Sequence, residues 1–303
     1  MSTKAVSTDH RPSRTDFESD LISELHRVFR KWNVRWSQDA DLQRLLTDYF
    51  TLFLKLIEPK PRNVKLSKHL LAKLHSHPKI KEIQHLKDLM ERGGNVNSFL
   101  SKKVLQTNFH DHLCNEWFIY HFHLSLKTDK KTGFVKQVND LLFVYINGEQ
   151  ALFLDVDKHR EGIFGDVKWL EILHDDFSEV IKPFESHWSG VSPDPSAKDR
   201  QLLWDKGYTL GATKVRDKVY FSPGGGRSTS GHSVMVSKNT NAVFRWLWQI
   251  TEQFESSFEV ICEKLAVEPN KAKFALQFGE RTFEIVERTT KTLVLEYREV
   301  VDI

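Results

Sequence analysis

The sequence predicts an α+β fold: an N-terminal helical module, a central antiparallel sheet with a hairpin and a packed helix, and a C-terminal α+β module ending in a β-meander. Three observations carry that reading. Apolar residues recur at helical spacing from Phe17 to Met90, the period switches to two from Trp117, and KFALQFGERTFEIVERTTKTLVLEY alternates as three short strands.

Residues 1–15 are polar and are expected to form a disordered tail. Phe17, Leu21, Leu25, Val28, Phe29, Trp32 and Trp36 mark a first helix, and the apolar run from Leu42 to Ile57 marks a second. EPKPRNVKLSKHL follows as a turn, because Pro59 and Pro61 bar a helix and Ser67 can cap the next one. A further helix begins near Pro78 and ends at Gly93-Gly94, so residues 16–105 read as one basic helical module.

Strand periodicity then defines a core over 106–188. In WFIYHFHLSL, Phe118, Tyr120, Phe122, Leu124 and Leu126 share one face, with Trp117, Ile119, His121, His123 and Ser125 on the other. LLFVYINGEQALFLDV is a hairpin about Asn147-Gly148, which would place Asp155 on the face of Phe153, Leu142 and Val144. GDVKWLEILHDDFSEVIKPF is an amphipathic helix, on whose apolar flank His174 is a structural residue. Over 189–303 come a loop rich in Ser, Gly, Pro and Asp, a hairpin turning at Arg216-Asp217, a long helix over 241–265 and the closing meander.

Only Cys114 and Cys262 are present, too few for a disulfide framework or a cysteine-built zinc site. No apolar run reaches the roughly 20 residues that cross a bilayer, and the first residues lack the apolar centre of a secretory signal. The expected setting is therefore the cytoplasm, without a membrane partner. Residues 1–110 hold 20 Lys+Arg against 12 Asp+Glu, and the remainder 24 against 29. A basic segment joined to an acidic one suggests a polyanionic partner such as RNA or another nucleic acid; a solvated helical surface fits the same count.

His121 and His123 are the leading candidates for chemistry. Residues i and i+2 of a strand project the same way, roughly 7 Å apart, and two imidazoles so placed can act as acid and base on one phosphate. Because the opposite strand face is wholly apolar, the histidine face is expected to be the accessible one. His159 and Arg160, in DVDKHREG, would steady charge on the phosphate. Lys60, Arg62, Lys65 and Lys68 surround the proline-stiffened turn and would contact nucleic acid, as would Arg227 in SPGGGRSTSGHS. From Gly226 that loop has the spacing of a phosphate-binding loop with His232 in place of the lysine. VMVS after it reads as strand rather than helix, which argues against a nucleotide hydrolase. No metal or other cofactor is expected, although His121, His123 and Asp155 or His159 could supply metal ligands.

EPKPRNVKLSKHL, WFIYHFHLSL, LLFVYINGEQALFLDV and GDVKWLEILHDDF together resemble a family of uncharacterised bacterial proteins from mobile or defence-related gene neighbourhoods, over roughly residues 40–185. The order of helices, strand, tight hairpin and basic segment is also similar in outline to the metal-independent toxin ribonucleases related to barnase and the colicin nucleases. What the resemblance implies is a reaction class: an endoribonuclease acting as a toxin or phage-defence effector, with an antitoxin or partner protein. The alternatives are a non-catalytic nucleic-acid-binding or protein-binding module of a defence or regulatory assembly, and a histidine-ligated metal-dependent hydrolase.

Overall fold

A computed structural model describes residues 15–278 and 282–297. The expected disordered tail, Thr15 apart, lies outside the described residues. In chain order the elements begin α1 (Phe17–Lys31), α2 (Leu42–Lys55), β1 (Asn63–Leu66), α3 (Lys68–Leu74), α4 (Ile80–Glu91), α5 (His112–Trp117) and β2 (Ile119–His123). They continue with β3 (Asp140–Asn147), β4 (Gln150–Lys158), α6 (Lys168–Asp176), α7 (Ser178–Ile181), α8 (Ala197–Asp205), β5 (Ala212–Val215) and β6 (Lys218–Phe221). Last come α9 (Val234–Ser256), α10 (Phe258–Lys264), β7 (Phe274–Phe278), β8 (Phe283–Glu287) and β9 (Thr292–Tyr297). The α+β class and the closing meander are as the sequence predicts. Among the described residues no helix is long and apolar enough to cross a membrane.

The chain divides into two compact units, Thr47–Ser237 and the segments on either side of it up to Leu46 and from Lys238. This differs from the three consecutive modules expected from charge and periodicity. The reason is visible in the packing: α3 and α4, assigned by sequence to a separate helical module, supply Leu70, Ile83, Leu86 and Met90 to the same core as Phe122, Leu142 and Phe153 of the central sheet. In the other unit α1 packs on β7. Asp20 and Glu24 accept hydrogen bonds from the Leu276 and Phe278 amides at 3.0 and 3.1 Å, satisfying backbone donors on one edge of the meander. Phe17 and Phe274 meet Phe254 of α9 edge to face.

The larger unit is built on a four-stranded sheet in the order β1-β4-β3-β2, with β1 parallel to β4 and the other pairs antiparallel. The turn read as a loop contains β1, in which Asn63 pairs with Gln150. Ser67 ends it and caps α3, its hydroxyl accepting from the Leu70 amide and donating to the Leu154 carbonyl. The hairpin turn is Gly148-Glu149 rather than Asn147-Gly148, since Asn147 pairs with Gln150. A bulge lets Val144 face Phe153 and Phe143 face Asp155, so Asp155 leaves the face on which regular alternation placed it.

Both faces of this sheet are covered. Phe122, Leu124, Val144, Ile146 and Phe153 pack under α3 and α4, while Ile119, Leu141, Phe143, Leu152 and Leu154 pack under α5 and α6. Trp169 of α6 stacks on Phe143 at 3.7 Å and donates its indole N–H to the Ile163 carbonyl at 2.8 Å. His174 lies 2.8 Å from the Tyr220 hydroxyl.

Candidate active site

Cross-strand register decides which polar side chains share a face. His121 pairs with Phe143, which pairs with Asp155; His123 pairs with Leu141, which pairs with Asp157. The two histidines on β2 and the two aspartates on β4 therefore stand in parallel rows on the face covered by α6. Lys168, the first residue of α6, reaches both carboxylates, at 2.8 Å from Asp155 and 3.2 Å from Asp157. Lys73 of α3 meets Asp155 at 2.6 Å. Burial opposes the Asp155 charge, but hydrogen bonds and attraction from Lys168 and Lys73 outweigh it and hold the carboxyl below its ordinary pKa.

The histidine face is not the open one. His121 and His123 are each only 8% exposed, because a helical layer lies over this face as over the other. The Phe164 ring covers His121, with centroids 4.8 Å apart, and stands edge-on to His159 at 5.5 Å. The His121 and His123 rings are 6.3 Å apart. His159 itself is exposed at the end of β4, its amide tied to the Asn139 carbonyl at 2.8 Å.

The Nδ1 edges of the two buried imidazoles meet different neighbours. The His121 Nδ1 lies 3.3 Å from Asp111 Oδ2, close enough for charge attraction though outside hydrogen-bond alignment. The His123 Nδ1 lies 2.8 Å from the Val138 carbonyl and 3.2 Å from the Val138 amide, so Val138 can hold this edge of the ring in either tautomer. Burial lowers the pKa of both rings. For His121, Asp111 opposes the shift and His159 adds to it; for His123, the Val138 bond opposes it and both other histidines add to it. Two neutral imidazoles with neighbouring rings, beside an exposed third, can pass a proton to and from a bound oxygen.

Asp111 is the neighbour of His121 that the strand-centred reading missed. It caps α5 by accepting from the Cys114 amide at 3.1 Å, and that fixed position brings its other oxygen to His121. The signal was present in NFHDHLCNEW, where an aspartate immediately precedes a short helical run.

The remaining candidates take different places. Arg160 pairs with Asp166 at 2.6 Å and approaches Asp157 at 3.8 Å, so it is engaged by carboxylates at the exposed end of this face. Arg62 is a correction: it is 8% exposed and donates to the Glu58 and Lys60 carbonyls at 2.8 and 3.2 Å, so it braces the proline turn instead of facing solvent. Lys60 pairs with Glu58, Lys65 with Glu179 and Lys68 with Asp176. Lys65 lies on β1, at the opposite edge of the sheet from the histidines on β2, roughly 14 Å away by three strand spacings. The fold thus separates the basic turn from the histidine pair.

Arg227 donates through Nε and Nη2 to the Gly231 carbonyl at 2.8 and 2.6 Å, clasping its own loop. The residues after that loop are helical, not a strand: α9 begins at Val234, since VMVS continues the apolar spacing of Val236, Val243, Leu247 and Ile250. The loop follows an antiparallel hairpin, β5-β6, and so lacks the parallel strand that precedes a nucleotide-hydrolase loop. Among the described residues no three His, Cys, Asp or Glu side chains lie close enough to hold a metal ion. No protein-family model, curated protein or solved structure matches this chain.

Proposed function

We propose that this chain is an endoribonuclease that cleaves RNA by proton transfer, with His121 and His123 as the acid–base pair and Asp111 as the residue that positions His121. One imidazole takes the proton of a ribose 2′-hydroxyl as its oxygen attacks phosphorus. The other gives a proton to the departing 5′-oxygen, leaving a 2′,3′-cyclic phosphate and a new 5′-hydroxyl. The observation that supports this reading is the placement of the two rings 6.3 Å apart on one strand face, with Asp111 3.3 Å from the His121 Nδ1, a separation that suits two groups serving one phosphate.

His159 is the member through which substrate approaches, being exposed and coupled electrostatically to both buried rings. A displacement of Phe164, half-buried between His121 and His159, would admit the phosphate. In the free protein the lowered pKa values keep both rings neutral at pH 7, ready as bases; a bound phosphate anion favours protonating the one that serves as acid. Arg160 would exchange Asp166 for a phosphate oxygen, an exchange of exposed charge pairs with little intrinsic cost.

The test is incubation with mixed RNA in excess chelator. Cleavage yielding cyclic phosphate ends, lost in both His121→Ala and His123→Ala, is the expected result. Absence of cleavage in every buffer, or cleavage indifferent to both substitutions, removes the proposal. Salt-sensitive RNA binding without cleavage, surviving both substitutions, would instead favour a binding module.

A further inference from the structure

Beyond His123 the chain leaves the sheet and folds into a short hairpin before β3 begins. From Lys127 to Lys136 it holds four lysines, Lys127, Lys130, Lys131 and Lys136, against one carboxylate, Asp129. All four lysines are exposed. Asp129 is taken up in building the turn, since it pairs with Lys102 at 2.9 Å and accepts from the Lys131 amide and the Thr132 hydroxyl, each at 3.0 Å. Among the described residues the four lysines form no ion pair.

Backbone hydrogen bonds fix where these charges stand. Thr128 pairs antiparallel with Val135, the Asp129 amide donates to the Phe134 carbonyl at 2.8 Å, and the Lys136 amide donates to the Lys127 carbonyl at 2.7 Å. Lys127 and Lys136 are therefore directly opposite each other, where like charges destabilise a hairpin. Burial of Phe134 and Val135, with the Val135 amide donating to the Ser98 carbonyl at 2.9 Å, holds the hairpin together against that repulsion. Both legs run to His123. One leaves it, reaching Lys127 four residues later and within about 14 Å even if fully extended; the other leads from Lys136 to Val138, whose carbonyl lies 2.8 Å from the His123 Nδ1. The hairpin thus continues the edge strand that carries the histidines, whereas Lys65 is tied to Glu179 at the opposite edge of the sheet.

We propose that this lysine hairpin is the docking surface for the phosphodiester backbone of a single nucleic-acid strand, with Lys127 and Lys136 sharing one phosphate and Lys130 and Lys131 meeting the chain at the turn. That the strand is RNA rests on the ribonuclease reading; the affinity for a phosphodiester chain does not. A phosphate between Lys127 and Lys136 turns their repulsion into attraction, and a polyanion gains further by releasing counterions at each contact. Lysine meets phosphate as a point charge and reads no base, so the surface is indifferent to sequence. The apolar residues of the hairpin, Phe134 and Val135, are buried, and a single exposed Leu126 at its base is less than a membrane anchor needs.

Fluorescence anisotropy with a labelled oligothymidylate, which lacks the 2′-hydroxyl and so survives any ribonuclease, reads binding apart from cleavage. The expected result is saturable binding whose affinity falls linearly with salt on logarithmic axes. Lys127→Gln/Lys136→Gln should weaken it about tenfold at low salt and flatten the salt slope by at least about 0.7, the share of one phosphate contact. Its melting temperature should equal or exceed the parent's, because a repulsive pair is gone. Lys182→Gln/Lys214→Gln makes the same change in net charge at two exposed lysines elsewhere in the unit, and should leave binding within about twofold. His121→Ala should keep its affinity for oligothymidylate while losing RNA cleavage, so this surface stands or falls apart from the acid–base pair. No saturable binding to oligothymidylate, with or without capture by phosphatidylserine vesicles, overturns the proposal. So does an unchanged salt slope in Lys127→Gln/Lys136→Gln, or an equal loss in the control pair.

Discussion

The carboxylate of Asp111 lies 3.3 Å from Nδ1 of His121, and the same side chain caps the helix that delivers the chain to the His121 strand. One residue thus couples a local folding signal to the orientation of a buried imidazole.

Asn caps a helix about as well as Asp but carries no charge. Asp111→Asn is therefore expected to keep the melting temperature within a few degrees while lowering the His121 pKa further, since the charge that opposes its depression is gone. Under the proposed mechanism kcat falls about a hundredfold. Histidine NMR titration with the cleavage pH profile checks both. An unchanged His121 titration would show that the contact is incidental.

Glu116 is buried, with the Trp204 indole N–H donating to it at 2.7 Å, and burial raises its pKa to about 7 despite that bond. Its folded pKa exceeds the unfolded value, so the folded state holds the proton more tightly. Stability from this group is present at low pH and declines as pH rises from about 4.5 to about 7. Glu116→Gln should remove the decline, gaining on the order of 2–3 kcal/mol at pH 8 relative to the parent and almost nothing at pH 4.5. Urea unfolding at the two pH values is the measurement.

His110 acts with the opposite sign. Its folded pKa of about 4 lies below the ordinary imidazole value, so it lowers stability as pH falls from about 6.5 to about 4. His110→Gln is expected to flatten the acid limb of the stability profile. A profile unchanged over that window would place the ring in contact with more water than its half-burial implies.

Trp169 is fully buried, stacked on Phe143 and bonded to Ile163. Trp169→Ala should cost about 3–5 kcal/mol, and Trp169→Phe much less, because the ring contact survives and only one hydrogen bond is lost. Chemical denaturation gives both numbers.

Gly224 has no room for a side chain against Asn115, whereas Gly190 has open space around it. Gly224→Ala is expected to destabilise by about 2 kcal/mol or more, Gly190→Ala to stay within about 0.5 kcal/mol.

Much of the fold was written locally. Periodicity placed the helices around Phe17, Leu42 and Ile80, the strand bearing His121 and His123, and the closing meander, because each burial pattern repeats within a few residues. Ser67 acted as the cap its position announced. The site was legible only in part. The histidine pair could be named, but not its burial, since a strand's own alternation cannot reveal that helices from both directions along the chain cover both faces.

The sequence by itself determined most of the element types and the shared face of His121 and His123, which depend on neighbours close in the chain. Only the tertiary structure decided that helices cover both faces of the sheet, that a bulge moves Asp155 across it, and that the loop carrying His232 meets His110. Those outcomes hang on contacts between residues up to about a hundred or more positions apart. Such contacts form only when the whole core closes, and no short window of sequence encodes them.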